Sequence, residues 1–309
     1  MDIVFASRSI KHYDEWLHEL RAALPQLTVR DWRAGEHGQA RIAVVWDPPA
    51  ALFEREPQLE IVFNIGAGVD ALLNMPGRPA SVRLVRLEDG GMAILMAQYA
   101  LYYLLRVARG FADYERLQAR QDWRRLDDFQ PGQWPVGIMG AGVIGARVAQ
   151  AIASLEFPVA LWSRSGRAPA GLEAHAGAAG MDAFLARTRV LINVLPLTPQ
   201  TTGILSRRVF DALLPGAYLI NMARGAHLVE EDLLAALADG QLAGAALDVF
   251  AAEPLPQGHP FWVHPRIQVT PHLAGISQRS KIIEQIAGKI RAFLHGTPVS
   301  GVVDPHLGY

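Results

Sequence analysis

Cysteine is absent from all 309 residues. Disulfides, thiol catalysis and thiolate metal sites are thereby excluded, and the composition fits a reducing compartment. A surplus of charge is missing as well: 29 Lys and Arg stand against 30 Asp and Glu, a net charge of -1. No general basic field exists to hold nucleic acid or an anionic membrane. The start, MDIVFASRSIKHY, has an acidic second residue and a short apolar run, which reads as a first strand and not as a signal peptide. The longest apolar segment, Met92 to Leu105, is too short to span a bilayer and is interrupted by Gln98. No internal repeat is present. These absences lead to the expectation of a soluble cytoplasmic protein. Apolar residues, in contrast, make up 50% of the chain, enough for a core in each of two domains.

The first part alternates short apolar runs with helical patterns: Ile3 to Ala6, Lys11 to Ala23, Leu27 to Asp31, Ile42 to Trp46, Leu59 to Asn64 and Val82 to Leu87. Such alternation predicts a parallel sheet covered by helices. The loop Asn64 to Asp70, NIGAGVD, reads either as an ordinary β-α turn or as a set of backbone N–H groups that hold a small anion. Glu88 to Gly91, EDGG, is a candidate hinge. The helix after it, running to about Arg109, is apolar nearly all round and has to be covered on several sides. With Phe111, Tyr114, Trp123, Arg124 and Arg125 it suits a homodimer contact or an intramolecular one.

The stretch Pro135 to Ser165 is more specific. A buried strand, Val136 to Met139, leads into Gly140, Gly142 and Gly145 spaced as G-x-G-x-x-G, then a helical pattern to Leu155 and a second strand, Pro158 to Trp162. Gly140 permits the tight turn, Gly142 lets backbone approach a pyrophosphate, and Gly145 lets helix pack on strand. Four further strands are predicted at Arg189 to Leu195, Ala217 to Met222, Ala243 to Val249 and Ile267 to Thr270, six in all, with Ala168 to Gly180 read as a surface connection with a short helix. One long helix, Ser277 to His295, closes the pattern.

Ligands of open parallel sheets bind beyond the carboxyl ends of the strands. Pro196 and Thr198, Arg224, Glu253 and His272 all follow predicted strands directly. Each has a plain structural alternative: Arg224 as an ion-pair partner, Glu253 as a solvated carboxylate, His272 as a turn cap. Jointly they suit reduction of a 2-oxo acid, with a cation for the carboxylate and carbonyl, an acid for the new alkoxide and an acceptor to hold its imidazole. The histidines at 259, 264 and 272 match no metal-ligand spacing, and no metal is expected.

The segments Asn221-Met-Ala-Arg224-Gly225, Asp248-Val-Phe-Ala-Ala-Glu253-Pro254 and Thr270-Pro-His272-Leu-Ala resemble the signature motifs of the D-isomer-specific 2-hydroxyacid dehydrogenases. The resemblance extends from Gly66-Ala-Gly-Val-Asp70 to Tyr309, and Leu87-Glu-Asp-Gly-Gly-Met92 resembles that family's glyoxylate/hydroxypyruvate reductase A branch. It implies two Rossmann-like or flavodoxin-like parallel-sheet α/β domains with a cleft between them. Residues 1–91 with 276–309 would bind substrate, and 92–275 would bind NAD(P). It implies Arg224 as the carboxylate and carbonyl ligand, His272 as the acid-base and Glu253 as its partner. A carboxylate beside an imidazole favours the charged ring. Cofactor contacts fall by resemblance on Gly140, Ala141, Gly142, Val143, Ile144, Gly145, Ser163, Arg164, Ser165, Leu195, Pro196, Met222, Ala223, Asp248, Ala274 and Gly275. Substrate contacts fall on Ala67, Gly68 and Val69, with Trp46 either a pocket wall or a packing residue.

Two departures from the family pattern matter. Gln98 stands where many members have Glu. At the end of the second strand NAD-dependent members place an Asp for the ribose hydroxyls, whereas this chain has Trp162-Ser-Arg-Ser165. Without that carboxylate, Arg164 and two hydroxyls can bind a 2'-phosphate, which predicts NADPH over NADH, or Arg164 stacks on adenine with weak discrimination. The alternatives for function are a reductase of a bulkier 2-oxo acid, such as pyruvate or phenylpyruvate, and a nucleotide-sensing corepressor-like binding protein.

Overall fold

The structure, a computed structural model, describes residues 2–126, 128–276 and 278–309. The chain divides into two compact units, Met1–Gly91 with Ser277–Tyr309, and Met92–Ile276. Ile276 thus falls in the second unit, one residue beyond the expected boundary. Ser277, the expected start of the last helix, lies outside the described residues; the helix runs Arg279–Leu294.

In the first unit, β1 (Asp2–Ser7), β2 (Thr28–Asp31), β3 (Ile42–Trp46), β4 (Ile61–Asn64) and β5 (Arg83–Val85) form a sheet of order β2-β1-β3-β4-β5 with every pairing parallel. This is the flavodoxin-like order. Strands β1, β3 and β4 are buried on both faces, which is why they read as unbroken apolar runs. The chain's end completes this unit. Helix Arg279–Leu294 packs on helix Tyr13–Ala23, with Arg279 paired to Glu15 and Glu19 at 2.7 Å each. Farther along it, buried Lys289 donates to the Arg86 carbonyl and pairs with Glu88 at 3.1 Å. Val302 then bridges β5 at Val85 in antiparallel fashion.

The second unit holds β6 (Val136–Met139), β7 (Val159–Ser163), β8 (Glu173–Ala176), β9 (Val190–Asn193), β10 (Ala217–Asn221), β11 (Leu242–Leu247) and β12 (Ile267–Val269), all parallel, in the order β12-β11-β10-β9-β6-β7-β8. Counted within the unit this is 3-2-1-4-5-6 with a seventh strand added, the doubly wound dinucleotide-binding order, and its switch point lies between β6 and β9. The expectation of six strands, with a surface connection and a short helix at 168–180, is corrected in its strand count; a helix does start there, at Gly177–Ala186. β8 is a seventh, edge strand, and its sequence EAHA is largely exposed, so it carries no apolar pattern to read. Helix Met92–Ala108 packs on helix Val143–Ala153 and buries Ala93, Met96, Ala97, Tyr99, Ala100, Tyr103, Leu104 and Ala108. Ile94, Gln98 and Tyr102, spaced four apart, stand on its exposed stripe. Among the described residues no helix is long and apolar enough to cross a membrane.

Candidate active site

The glycine turn after β6 is built as its spacing demands. Gly140 has φ +112°, and a Cβ there would meet the Val194 carbonyl oxygen at 3.0 Å. At Gly145 a Cβ would lie 1.9 Å from the Gly140 carbonyl oxygen, so only glycine lets the first helical turn sit on the loop. Gly142, the N-cap of helix Val143–Ala153, has open space where its Cβ would be. That free volume at a helix N-terminus, beside backbone N–H groups, fits a pyrophosphate. At the end of β7, Arg164 and Ser165 are exposed and no acidic residue occupies 162–165. Ser163 differs: its Oγ is buried and lacks a hydrogen-bond partner among the described residues. Leu195, Met222, Ala223 and Ala274 are buried in the unit's own packing. Pro196 is half-buried, its carbonyl accepting from the Thr201 hydroxyl. A Cβ on Gly275 would meet Met92 Cγ at 3.0 Å. Thr198, read as a cofactor neighbour, is buried in its own turn, with its N–H on Thr201 Oγ1 at 2.8 Å.

The three chemistry-bearing residues follow three adjacent strands. Arg224 comes after β10, Glu253 after β11 and His272 after β12. His272 Nδ1 lies 2.8 Å from Glu253 Oε2, and the Phe250 N–H donates to Glu253 Oε1 at 2.9 Å, so both carboxylate oxygens are engaged. With Nδ1 held, Nε2 is the end available for proton transfer, and the side chain is about half exposed. Arg224 is half-buried, and its Nη1 donates to the Ala223 carbonyl at 2.7 Å. The next residue explains how the elements meet: a Cβ on Gly225 would fall 1.8 Å from Phe250 C, so the Arg224 turn presses on the loop that carries Glu253.

A buried network ties the strand ends together, and motif reading missed it. Asn193 Nδ2 donates to Asn221 Oδ1 at 3.0 Å and lies 3.0 Å from His227 Nδ1, while His227 Nε2 faces the Pro196 carbonyl at 3.3 Å. Asn221 Nδ2 donates in turn to the Arg224 carbonyl at 3.1 Å. All three side chains are fully buried, and such a network is stable only when its donors and acceptors are matched. The repeated ending Leu-Ile-Asn at 191–193 and 219–221 was the available signal. Of the other histidines, His259 pairs with Glu230 at 3.1 Å and His264 Nδ1 accepts from the Arg266 N–H.

In the first unit, Asn64 Nδ2 donates to the carbonyls of Gly66 and Gly68 at 3.0 and 2.8 Å and so shapes the 64–70 loop. Among the described residues, the N–H groups of Ala67, Gly68 and Val69 have no hydrogen-bond acceptor. Trp46, at the end of β3, is 41% exposed, and its ring lies where a Cβ on Gly66 would be, 2.4 Å from Cζ3. It both packs on the loop and presents a surface.

A doubly wound sheet with this glycine turn and an arginine and a carboxylate-held histidine at its strand ends defines a dinucleotide-dependent dehydrogenase. The chain belongs to the D-isomer-specific 2-hydroxyacid dehydrogenases: the family's NAD-binding domain model matches residues 101–274. It is 51% identical to the glyoxylate/hydroxypyruvate reductase A of Serratia proteamaculans over 96% of each chain. Among solved structures it resembles the NADPH-dependent glyoxylate/hydroxypyruvate reductase of Sinorhizobium meliloti in complex with NADP and sulfate (TM-score 0.92, 37% identity, covering 100% of this chain and 99% of that one). A D-isomer-specific 2-hydroxyacid dehydrogenase of Xanthobacter autotrophicus Py2, in complex with NADPH and MES, is similarly close (TM-score 0.93, 38% identity, 100% and 99%).

Proposed function

We propose that this chain catalyses NADPH-dependent reduction of small 2-oxo acids, glyoxylate to glycolate and hydroxypyruvate to D-glycerate. The observation that carries this reading is the 2.8 Å Glu253–His272 pair, one strand from Arg224, on the carboxyl edge of a dinucleotide-binding sheet. The bound dinucleotide supplies the hydride. Arg224 holds the substrate carboxylate and polarises the carbonyl. His272 delivers a proton from Nε2 to the carbonyl oxygen, and Glu253 keeps the ring oriented with the proton at the reacting end. In the first unit, Ala67, Gly68 and Val69 offer N–H groups suited to a carboxylate, with the exposed face of Trp46 beside their loop. Gly140 to Gly145 cradle the pyrophosphate, and Arg164 with Ser165 takes the 2'-phosphate, with NADH the poorer cofactor. The relatives named for glyoxylate and hydroxypyruvate, and the neighbours that carry NADP or NADPH, support the same substrates and cofactor.

An assay of cofactor oxidation across glyoxylate, hydroxypyruvate, pyruvate and phenylpyruvate tests the reading. Glyoxylate and hydroxypyruvate with NADPH are expected to give the highest kcat/KM, and Arg164→Asp to reverse the preference to NADH. Preference of the unaltered protein for NADH sinks the Arg164 role. NADPH binding without turnover of any of the four acids returns the corepressor-like alternative.

The protein is further proposed to be a cytoplasmic homodimer. Ile94 and Tyr102 on the exposed stripe are 36% and 58% exposed, and Phe111, Tyr114 and Trp123, later in the chain, are exposed as well. Exposed aromatic side chains are of the kind that interface cores are rich in. Sedimentation equilibrium is expected to give twice the 33.7 kDa chain mass, and Tyr102→Glu to shift it toward the monomer.

A further inference from the structure

The turn that carries His272 is held from below by a buried chain of hydrogen bonds. Asp248, 1% exposed, accepts at Oδ1 from Thr270 Oγ1 at 2.6 Å and from the Leu273 N–H at 2.9 Å, and at Oδ2 from the Ala274 N–H at 2.8 Å. Its main-chain carbonyl accepts from the His272 N–H at 2.8 Å. Thr270 Oγ1 lies 2.7 Å from the hydroxyl of Tyr99, on helix Met92–Ala108. The directions are forced. Thr270 has one proton and places it on Asp248, so its oxygen must accept from Tyr99. Burial pushes the Tyr99 hydroxyl up, which keeps it a donor, and the ring is wedged against Tyr103 at 4.8 Å between centroids.

His272 itself has φ +52°, a left-handed conformation that a non-glycine residue keeps only where its surroundings over-determine it. The bonds from Asp248 to residues 272, 273 and 274 are that constraint, and Tyr99 terminates the chain that orients Asp248. We propose that Tyr99 is a positioning residue for His272, acting through Thr270 and Asp248 to fix the turn that aims the imidazole. This rests on the reading of His272 as the proton donor.

Tyr99→Phe removes one oxygen and leaves the ring packing. With NADPH and glyoxylate its kcat is expected to fall about tenfold, because small misplacement of a reacting group is costly, while Kd for NADPH by fluorescence titration stays within about twofold. Thr270→Val is expected to match it, and Thr270→Ser, which keeps the hydroxyl, to recover most of the lost rate. The double variant Tyr99→Phe/Thr270→Val is expected to be no slower than Thr270→Val alone, since both cut the same chain. An unchanged kcat in Tyr99→Phe, even with a lowered Tm, or losses that multiply in the double variant, overturns the proposal. His272→Asn assayed in parallel separates the two levels. If it is inactive while Tyr99→Phe is fully active, only the positioning role fails; if it is active, the reading of the site fails.

Discussion

Replacing His272 with Asn is expected to lower kcat for glyoxylate reduction by about 10³-fold, the scale of a lost general acid. The variant keeps a side chain of similar reach, and since His272 is half exposed with Glu253 as its side-chain partner, the fold does not depend on it. Thermal unfolding within a degree or two of the unaltered protein, measured beside stopped-flow kcat, separates chemistry from stability. Arg224→Gln is expected to lose a comparable factor in kcat/KM, with KM for glyoxylate rising as well, because the guanidinium is assigned to the carboxylate in the ground state and the carbonyl in the transition state. Near-normal turnover in either variant removes that residue from the site.

The two glycines of the turn are expected to fail in different ways. Gly145→Ala sets a methyl 1.9 Å from the Gly140 carbonyl oxygen, a backbone atom that moves only with the turn itself. The expected result is a loss of about 1–3 kcal/mol of stability from overpacking, together with loss of measurable NADPH binding. Gly142→Ala meets no protein atom within 4 Å. Its Tm is expected to stay the same while Kd for NADPH rises about 100-fold, as the methyl occupies the space assigned to the pyrophosphate. Calorimetry with NADPH fluorescence titration reads both. A Gly142→Ala protein that binds NADPH normally places the pyrophosphate elsewhere.

What was legible in the sequence was what burial writes into it. Strands such as Val136–Met139 and Ala217–Asn221 are covered on both faces and appear as apolar runs, and the residues after them were found by position. β8 was missed because an exposed edge strand needs no apolar residues. The Asn193–Asn221–His227 network was missed because its side chains lie far apart in sequence and meet only when β9 and β10 pair. The left-handed backbone of His272 had no local signal either. It is imposed by Asp248, twenty-four positions earlier, through bonds that no periodicity encodes.

The first unit is interrupted in the chain, and this has a consequence for synthesis on the ribosome. Its five strands are all translated by Val85, yet the helix that packs on Tyr13–Ala23, and the Val302 bridge that edges β5, are made only after the whole second unit. The second unit, whose strands all lie within one continuous segment, can finish folding while the first still waits with an uncovered helix face. The inserted unit can therefore mature before the unit that holds the first strands, whose packing waits on residues 279–302.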